Sequence, residues 1–262
     1  DQNPLPARVL ANRIWQHLFG EGIVRTPDNF GTTGTRPTHP ELLDHLAVQL
    51  MQSGWSTRKL IRTIVLSRGW QMASTVENPQ AAAIDPENKL LWRANKRRVD
   101  AETLRDSILA LSDSLNPRRG GPSLPDDFKS EFTFKHTSQK RSIYIPVFRN
   151  QLHEIFTTFD FANPSFVVGK RFTSTIPTQS LYLLNSPFIY QHAKAAAADL
   201  LGQLTDPDDA IHRVYRHVLC RHPRHEELAL TREFLQAENF SAEVRIGLIR
   251  SLFACVDFQY IH

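Results

Sequence analysis

The stretch Pro6-Ala-Arg-Val-Leu-Ala-Asn-Arg-Ile-Trp-Gln-His-Leu-Phe-Gly20 decides how the rest of the chain is read. Leu10, Ile14 and Leu18 recur every fourth residue, the period of one helix face and not of a strand. Pro6 suits a first helical turn. Gly20 and Gly22 supply the stop. A helix from about Pro6 to Phe19 is predicted. Opposite its apolar line stand two pairs at i, i+4: Asn12 with Gln16, and Arg13 with His17. A face kept only for solubility usually carries Lys and Glu. This one carries Asn, Arg, Gln, His and Trp15, a mix suited to a packed polar interface, either a structural network or a ligand site.

Working outward, the same punctuation repeats. Residues 23–37 form a loop stiffened by Pro27, Gly31, Gly34 and Pro37. Thr38 and Glu41 have capping-box spacing ahead of a helix burying Leu42, Leu43, Leu46, Leu50 and Met51, closed by Gly54. Ser56 caps the next helix, with Leu60, Ile61, Ile64 and Val65. Asp85-Pro86 is read as a helix start running through Leu91 to Trp92. Asp100 caps an amphipathic helix with Ala101, Leu104, Ile108, Leu111 and Leu115 inward and Glu102, Arg105 and Asp106 outward. Its charges are spaced for intrahelical pairs, Arg98–Glu102 and Glu102–Arg105. Residues 116–130 are turn-forming.

The period then changes. Phe132 and Phe134 alternate with polar neighbours, and Ser142–Phe148 is strand-like, so a β-hairpin or small sheet is predicted near 131–149, with Pro146 at an edge. Helices resume at 152–159, 177–184, from Pro187 through the Ala193–Ala198 run, from Asp206-Pro207 through Val218, and at 224–238 and 241–256. The expected fold is mainly α, about ten helices in one compact domain over 1–262. It comprises an N-terminal helical half (1–115), a loop and β insertion (116–150) and a C-terminal helical half (151–262), whose helices share one core.

Composition narrows the function classes. With 41% hydrophobic and 22% charged residues the chain is an ordinary globular sequence. No apolar run approaches the ~20 residues of a membrane span, and no secretory h-region opens the chain. A first residue of Asp1 leads us to expect a processed or excised piece. The net charge of +4 is concentrated in the first two-thirds; residues 181–262 hold 8 basic and 10 acidic side chains. Arg outnumbers Lys 23 to 8. Arg is the better partner for carboxylate, phosphate or sulfate, so the excess reads either as ion pairs between helices or as an anion-binding groove. No Lys/Arg stripe with aromatic platforms is present, and nucleic acid is not an expected partner.

Cys220 and Cys255 are expected to be two buried free thiols, with one helix-to-helix bridge as the alternative in an oxidising compartment. His217, Cys220, His222 and His225 cluster, but Pro223 interrupts them, and a His near a helix C-terminus is favourable without a metal. No P-loop, Rossmann fingerprint or nucleophile elbow is present. No Cys-x-x-Cys-His occurs, so no haem is attached covalently here. Neither metal nor cofactor is expected. The candidate ligand-binding residues are Arg13, His17, Arg25, Asp28, Arg36, His39, Asp44 and Arg98. For acid–base chemistry the candidates are Asp28, His39, Asp44 and His17, provided the 23–37 loop folds over the first helix.

Several strings resemble one family. Arg8–Gly20, Thr26-Pro-Asp-Asn-Phe-Gly31, Pro37-Thr-His-Pro-Glu-Leu-Leu-Asp44, Arg97-Arg-Val-Asp-Ala-Glu-Thr-Leu-Arg-Asp106, Pro177-Thr-Gln179 and Leu184-Asn-Ser-Pro187 are similar to the planctomycete PSD-one domain, a domain of unknown function. The resemblance covers nearly the whole chain. It implies the C-terminal part of a large secreted bacterial protein, with a cytochrome-like domain upstream and an extracytoplasmic location. It brings no proven catalytic residues. In one departure, Cys220 stands where such domains usually carry Gly; in another, Leu252–Ile261 only loosely matches an Asn-rich ending. The expected function is a non-catalytic binding or scaffolding module. Its partners would be other domains of the same polypeptide or an acidic or sulfated glycan. The alternative is an enzyme, a hydrolase or a redox unit working with the upstream haem domain.

Overall fold

Two apolar cores form, one on each side of the Arg97–Arg98 bond. The computed structural model describes residues 3–202, 206–237 and 239–261. The described residues include twelve α-helices, nine of them seven residues or longer, and about half of the chain is helical.

The first unit holds α1 (Leu5–Phe19), α2 (Pro40–Gln52), α3 (Thr57–Val65) and the short α4 (Pro79–Ile84). Gly20 ends α1 at φ +86°, its N–H donating to Gln16 O; that backbone region favours Gly. The buried stripe of α1 is Ala7, Ala11, Ile14, Trp15 and Phe19, joined by Asn12 and Gln16. The predicted line of Leu10 and Leu18 lies only at its edge. The small Ala7 and Ala11 let α2 approach, and Leu43, Leu46 and Leu50 of α2 fill the space. Trp15 stacks on Phe19 at 4.0 Å and Phe19 meets Trp70 edge-on at 5.4 Å.

Two caps depart from expectation here. Thr38 does not cap α2, whose N-cap is His39; its hydroxyl donates to Ile23 O at 3.4 Å instead. Ser56 does cap α3. Asp85 starts no helix. It ends α4, and its carboxylate accepts from the N–H groups of Lys89 (2.9 Å) and Leu90 (2.7 Å), closing a loop that passes through Asn88 and Leu91 at positive φ.

The second unit runs through α5 (Ala101–Leu111), α6 (Glu154–Thr158), α7 (Pro177–Asn185), α8 (Pro187–Leu201), α9 (Pro207–Val218), α10 (His225–Ala237), α11 (Ala242–Ala254) and α12 (Val256–Gln259). Asp100 caps α5 as expected, accepting from Thr103 N–H at 2.8 Å. α5 ends at Leu111, so Leu115 falls outside it. The Ala-rich α8 lies at the centre, with Ile189, Ala193 and Ala196 fully buried. Methyl-sized side chains on that face admit α11, α5, α7 and α9 around it. α5 therefore shares a core with the helices that follow residues 116–150, whereas α1, α2 and α3 build a core of their own and not the single shared core expected.

A small two-stranded sheet is present, but it pairs β1 (Arg97–Arg98) with β2 (Tyr260–Ile261). Residues 131–149 instead hold two 3-10 turns, Glu131–Thr133 and Ser142–Tyr144. The period of two is not kept: Ile145 is buried and Ile143, two residues before it, is exposed. The backbone, however, is anchored by side chains: Ser142 N–H donates to Asp106 at 2.8 Å, and Phe128, Phe134, His136 and Phe148 make an aromatic cluster.

Candidate functional site

In the first unit the polar residues of α1 separate into two rows. Asn12 is fully buried. Its Nδ2 donates to Val24 O (3.0 Å) and its Oδ1 accepts from Val24 N–H (2.8 Å), so one side chain satisfies both backbone groups of the turn beyond Gly20. Gly22 fits under it; a Cβ there would stand 2.5 Å from Val24 O and 2.8 Å from Asn12 Nδ2. Arg13 and His17 form the outer, exposed row.

This turn and the Asp85–Leu91 loop border a narrow cleft lined by Trp15, Ile23, Arg25, Thr38, His39 and Lys89, with Glu21 and Asn88 among its other walls. Its free volume is about 20 Å³, room for about one water. Arg25 and Lys89 converge on Glu87 Oε2, at 2.8 and 3.0 Å. Lys89 and then Arg25 hold the Glu87 carboxyl below its usual range. His39 Nδ1 lies 2.9 Å from Thr38 Oγ1.

Of the eight sequence-predicted residues, the structure brings only Arg25 and His39 to this cleft. Asp44 pairs with Arg8 at 3.0 Å. Asp28 and Arg36 are exposed and do not line it. The four acid–base candidates are accordingly not gathered around it.

Arg98, in the second unit, is taken up by bonds within the protein. Its guanidinium donates to Ser174 O and to the Oε1 atoms of Gln179 and Gln259, both at 2.8 Å. Gln179 in turn donates to Thr158 O at 3.0 Å, and Asp160 accepts from Ser174 N–H and Oγ at 2.7 and 2.8 Å. The intrahelical pairs expected on α5 do not form: Glu102 binds Arg171 through two bonds of 2.7 and 2.8 Å.

The sequence reading missed a second polar cluster. Arg105, placed there on an outward face, is 1% exposed. It donates to Ser138 O, to Lys140 O at 3.0 Å and to Ser142 Oγ at 3.3 Å, with Asp106 at 3.5 Å. Around it lie His136, His153, His192 and Tyr182. His136 and His153 are 5.1 Å apart between ring centres, and His192 Nδ1 lies 2.8 Å from Ser112 Oγ. Burial, then the Arg105 charge, pushes His153 down to about 3, and burial pushes Tyr182 up to about 12. Arg105 Nε and both ring nitrogens of His136 are buried without a hydrogen bond among the described residues. The signal was positional: residue 105 follows Ala101 by four and precedes Leu109 by four, on the apolar side of α5.

A family model, PSD1, described as a protein of unknown function (DUF1553), matches residues 1–235. The chain belongs to the PSD1 family. No curated protein and no solved structure matches it.

Both cores of this PSD1 chain contribute to the matched span, whereas α11, which packs most extensively on α8, lies beyond it. Cys220 sits at φ +55°, in the region that favours Gly. Cys220 and Cys255 are free thiols, and Cys220 is exposed instead of buried. The segment around Cys220 is organised by Arg221, which binds Glu227 and Asp257, each at 2.6 Å. Among the described residues no group of three or more His, Cys, Asp or Glu is placed to hold a metal ion, and no helix is long and apolar enough to cross a membrane.

Proposed function

We propose that this PSD1 domain is a non-catalytic binding or scaffolding module of a larger secreted bacterial polypeptide. Its cleft beside Arg25, His39 and Lys89 takes an anionic group, such as the carboxylate or sulfate of an acidic glycan. The observation that carries this is Glu87. Its side chain is 58% exposed, yet its carboxylate bridges two cations at the rim of the cleft. An exposed ion pair of this kind is weak, so an external anion can take the place of Glu87 between Arg25 and Lys89. The narrow cleft leaves the anion and its sugar ring at the rim, where Arg25 and Lys89 meet Glu87.

Isothermal titration with sulfated and uronic oligosaccharides tests it. Glu87→Gln, which removes the internal competitor, should tighten binding, and Arg25→Ala should abolish it. No heat with the wild type and with Glu87→Gln would remove the proposal.

One observation favours a second reading, an enzyme: the burial of Arg105, His136, His153 and Tyr182 as a group with shifted proton affinities, a pattern enriched at functional sites. On this reading acid–base chemistry belongs to the second unit instead of Asp28, His39, Asp44 and His17. A screen of chromogenic sulfate esters and glycosides tests it. Turnover abolished by Tyr182→Phe in a folded variant supports the enzyme, and turnover indifferent to it does not.

A further inference from the structure

A cavity opens within the second unit where four helix ends meet: the end of α8, the start of α9, the end of α10 and the start of α11. Its free volume is about 260 Å³. That is several times the ~30 Å³ share of one water and close to the lower bound of ligand pockets, about 300 Å³. Its inner wall belongs to the core, through Leu201, Ala210 and Leu235. Pro207 and Phe240 extend the apolar lining, and the small Gly202 and Ala210 leave the space that bulkier side chains would fill. Among the described residues Arg245 is the single lining side chain that carries a polar atom. It works as a strut across the helix ends. Its Nε donates to Phe240 O at 2.8 Å and its Nη1 to Leu201 O at 3.5 Å.

The charge on this strut is available. Arg171, Arg221 and Arg232 of the same unit each hold a carboxylate. Arg245 has no ion-pair partner among the described residues, and its Nη2 makes no hydrogen bond there and is not sealed from solvent. The neighbouring carboxylates are engaged elsewhere: Asp206 accepts from Asp208 N–H, Asp208 binds Arg232, and Glu243 accepts from the Tyr190 hydroxyl. These features select the occupant. A sugar or a nucleotide would bury hydroxyl and amide groups against Leu, Ala and Phe with nothing to bond them, which is costly. A guanidinium with open N–H groups takes a carboxylate in a charge-assisted pair. The remaining wall takes an aliphatic chain. We propose that this cavity binds a medium-chain fatty acid, with its tail against Leu201, Ala210 and Leu235 and its carboxylate on Arg245 Nη2. This goes beyond the anion cleft of the first unit and the cluster around Arg105, and it depends on neither.

Isothermal titration of the full chain with sodium octanoate, kept below micelle formation, tests it. The expected result is saturable binding at a single site. Octanol, which keeps the tail and loses the charge, should bind at least about tenfold more weakly. Propionate, which keeps the charge and loses most of the tail, should also bind at least about tenfold more weakly. Arg245→Gln should lower octanoate affinity about tenfold and erase the preference over octanol, whereas Arg245→Lys should keep that preference. Ala210→Leu adds bulk to the cavity and should block both ligands, with thermal unfolding showing that the fold is intact. The comparison of octanoate, octanol and propionate uses the wild type, so it stands if a variant fails to fold. Three outcomes would overturn the proposal: no heat with octanoate, octanol binding as tightly as octanoate, or an Arg245→Gln variant that folds and retains the preference. An apolar peptide with a free C-terminal carboxylate that binds more tightly than octanoate would assign the cavity to a chain terminus and also overturn it.

Discussion

Asn12 shows what a single buried amide does in this molecule. It replaces water for both the N–H and the C=O of Val24. Asn12→Ala should leave both unsatisfied and cost about 3 kcal/mol, read as a lower urea midpoint. Gly22→Ala should be similarly harmful, because its methyl would collide with the same amide. The sequence showed Asn12 and Gln16 as an unusual polar row, but residue type alone did not separate a buried clamp from a ligand contact. That distinction rests on Val24, twelve residues away. Arg105 was misread for the converse reason: its charge was weighed above its place on the helix. The histidines near it make stability depend on pH. His153 has a folded pKa of about 3 against an ordinary 6.5. Below pH 6.5 the unfolded chain takes up a proton that the folded one refuses. Stability is therefore full above pH 6.5 and falls as pH drops toward 3, by up to roughly 4 kcal/mol. In His153→Gln, near-UV circular dichroism and denaturant titration between pH 6.5 and 4.5 should show a flatter decline. The residual slope would come from His136 and His192, which shift in the same direction.

Helices were legible where a cap and a periodic face agreed. Asp100, Ser56, Pro177, Pro187 and Asp206 each open an element close to where the sequence places it. Asp85-Pro86 carries the same local signature, yet the Asp85 carboxylate is drawn to the N–H groups of Lys89 and Leu90, a loop arrangement equally available to Asp. The 131–149 alternation failed as a strand signal because a strand needs a partner edge. Here the available hydrogen-bonding groups are Asp106 and Arg105 on α5. The element with the clearest correctable fault is the turn after α9. Cys220 holds positive φ there, which costs about 1–2 kcal/mol for a residue with a Cβ, and Gly recovers part of this against its greater unfolded freedom. Cys220→Gly should stabilise by about 0.5–1 kcal/mol, visible as a rise of about 2 °C in the unfolding midpoint.

At the scale of the whole chain the two cores are the main fact. Sequence periodicity reports that a helix has an apolar face, not which other face receives it, so the division at Arg97–Arg98 was invisible while the helices were not. Leu50→Ala and Ile249→Ala each empty a fully buried site and should cost about 2–5 kcal/mol. Each should shift mainly the unfolding of its own unit, followed by hydrogen exchange of α2 and α11. The grip of Arg98 on residues near and far has a consequence for biosynthesis. Its bond to Gln259 spans 161 residues, which at about 5–20 residues per second takes roughly 8–32 s to translate. Ser174 and Gln179 follow Arg98 by 76 and 81 residues, so in the second half of that interval only Gln259 among these acceptors is still to be made. Until Gln259 arrives, Gln179 and Ser174 are the acceptors it has, and the neck of the 161–173 loop is held by an incomplete set of bonds. The emerging domain therefore stays open to chaperones and proteases at this neck until Gln259 is made, and it locks late.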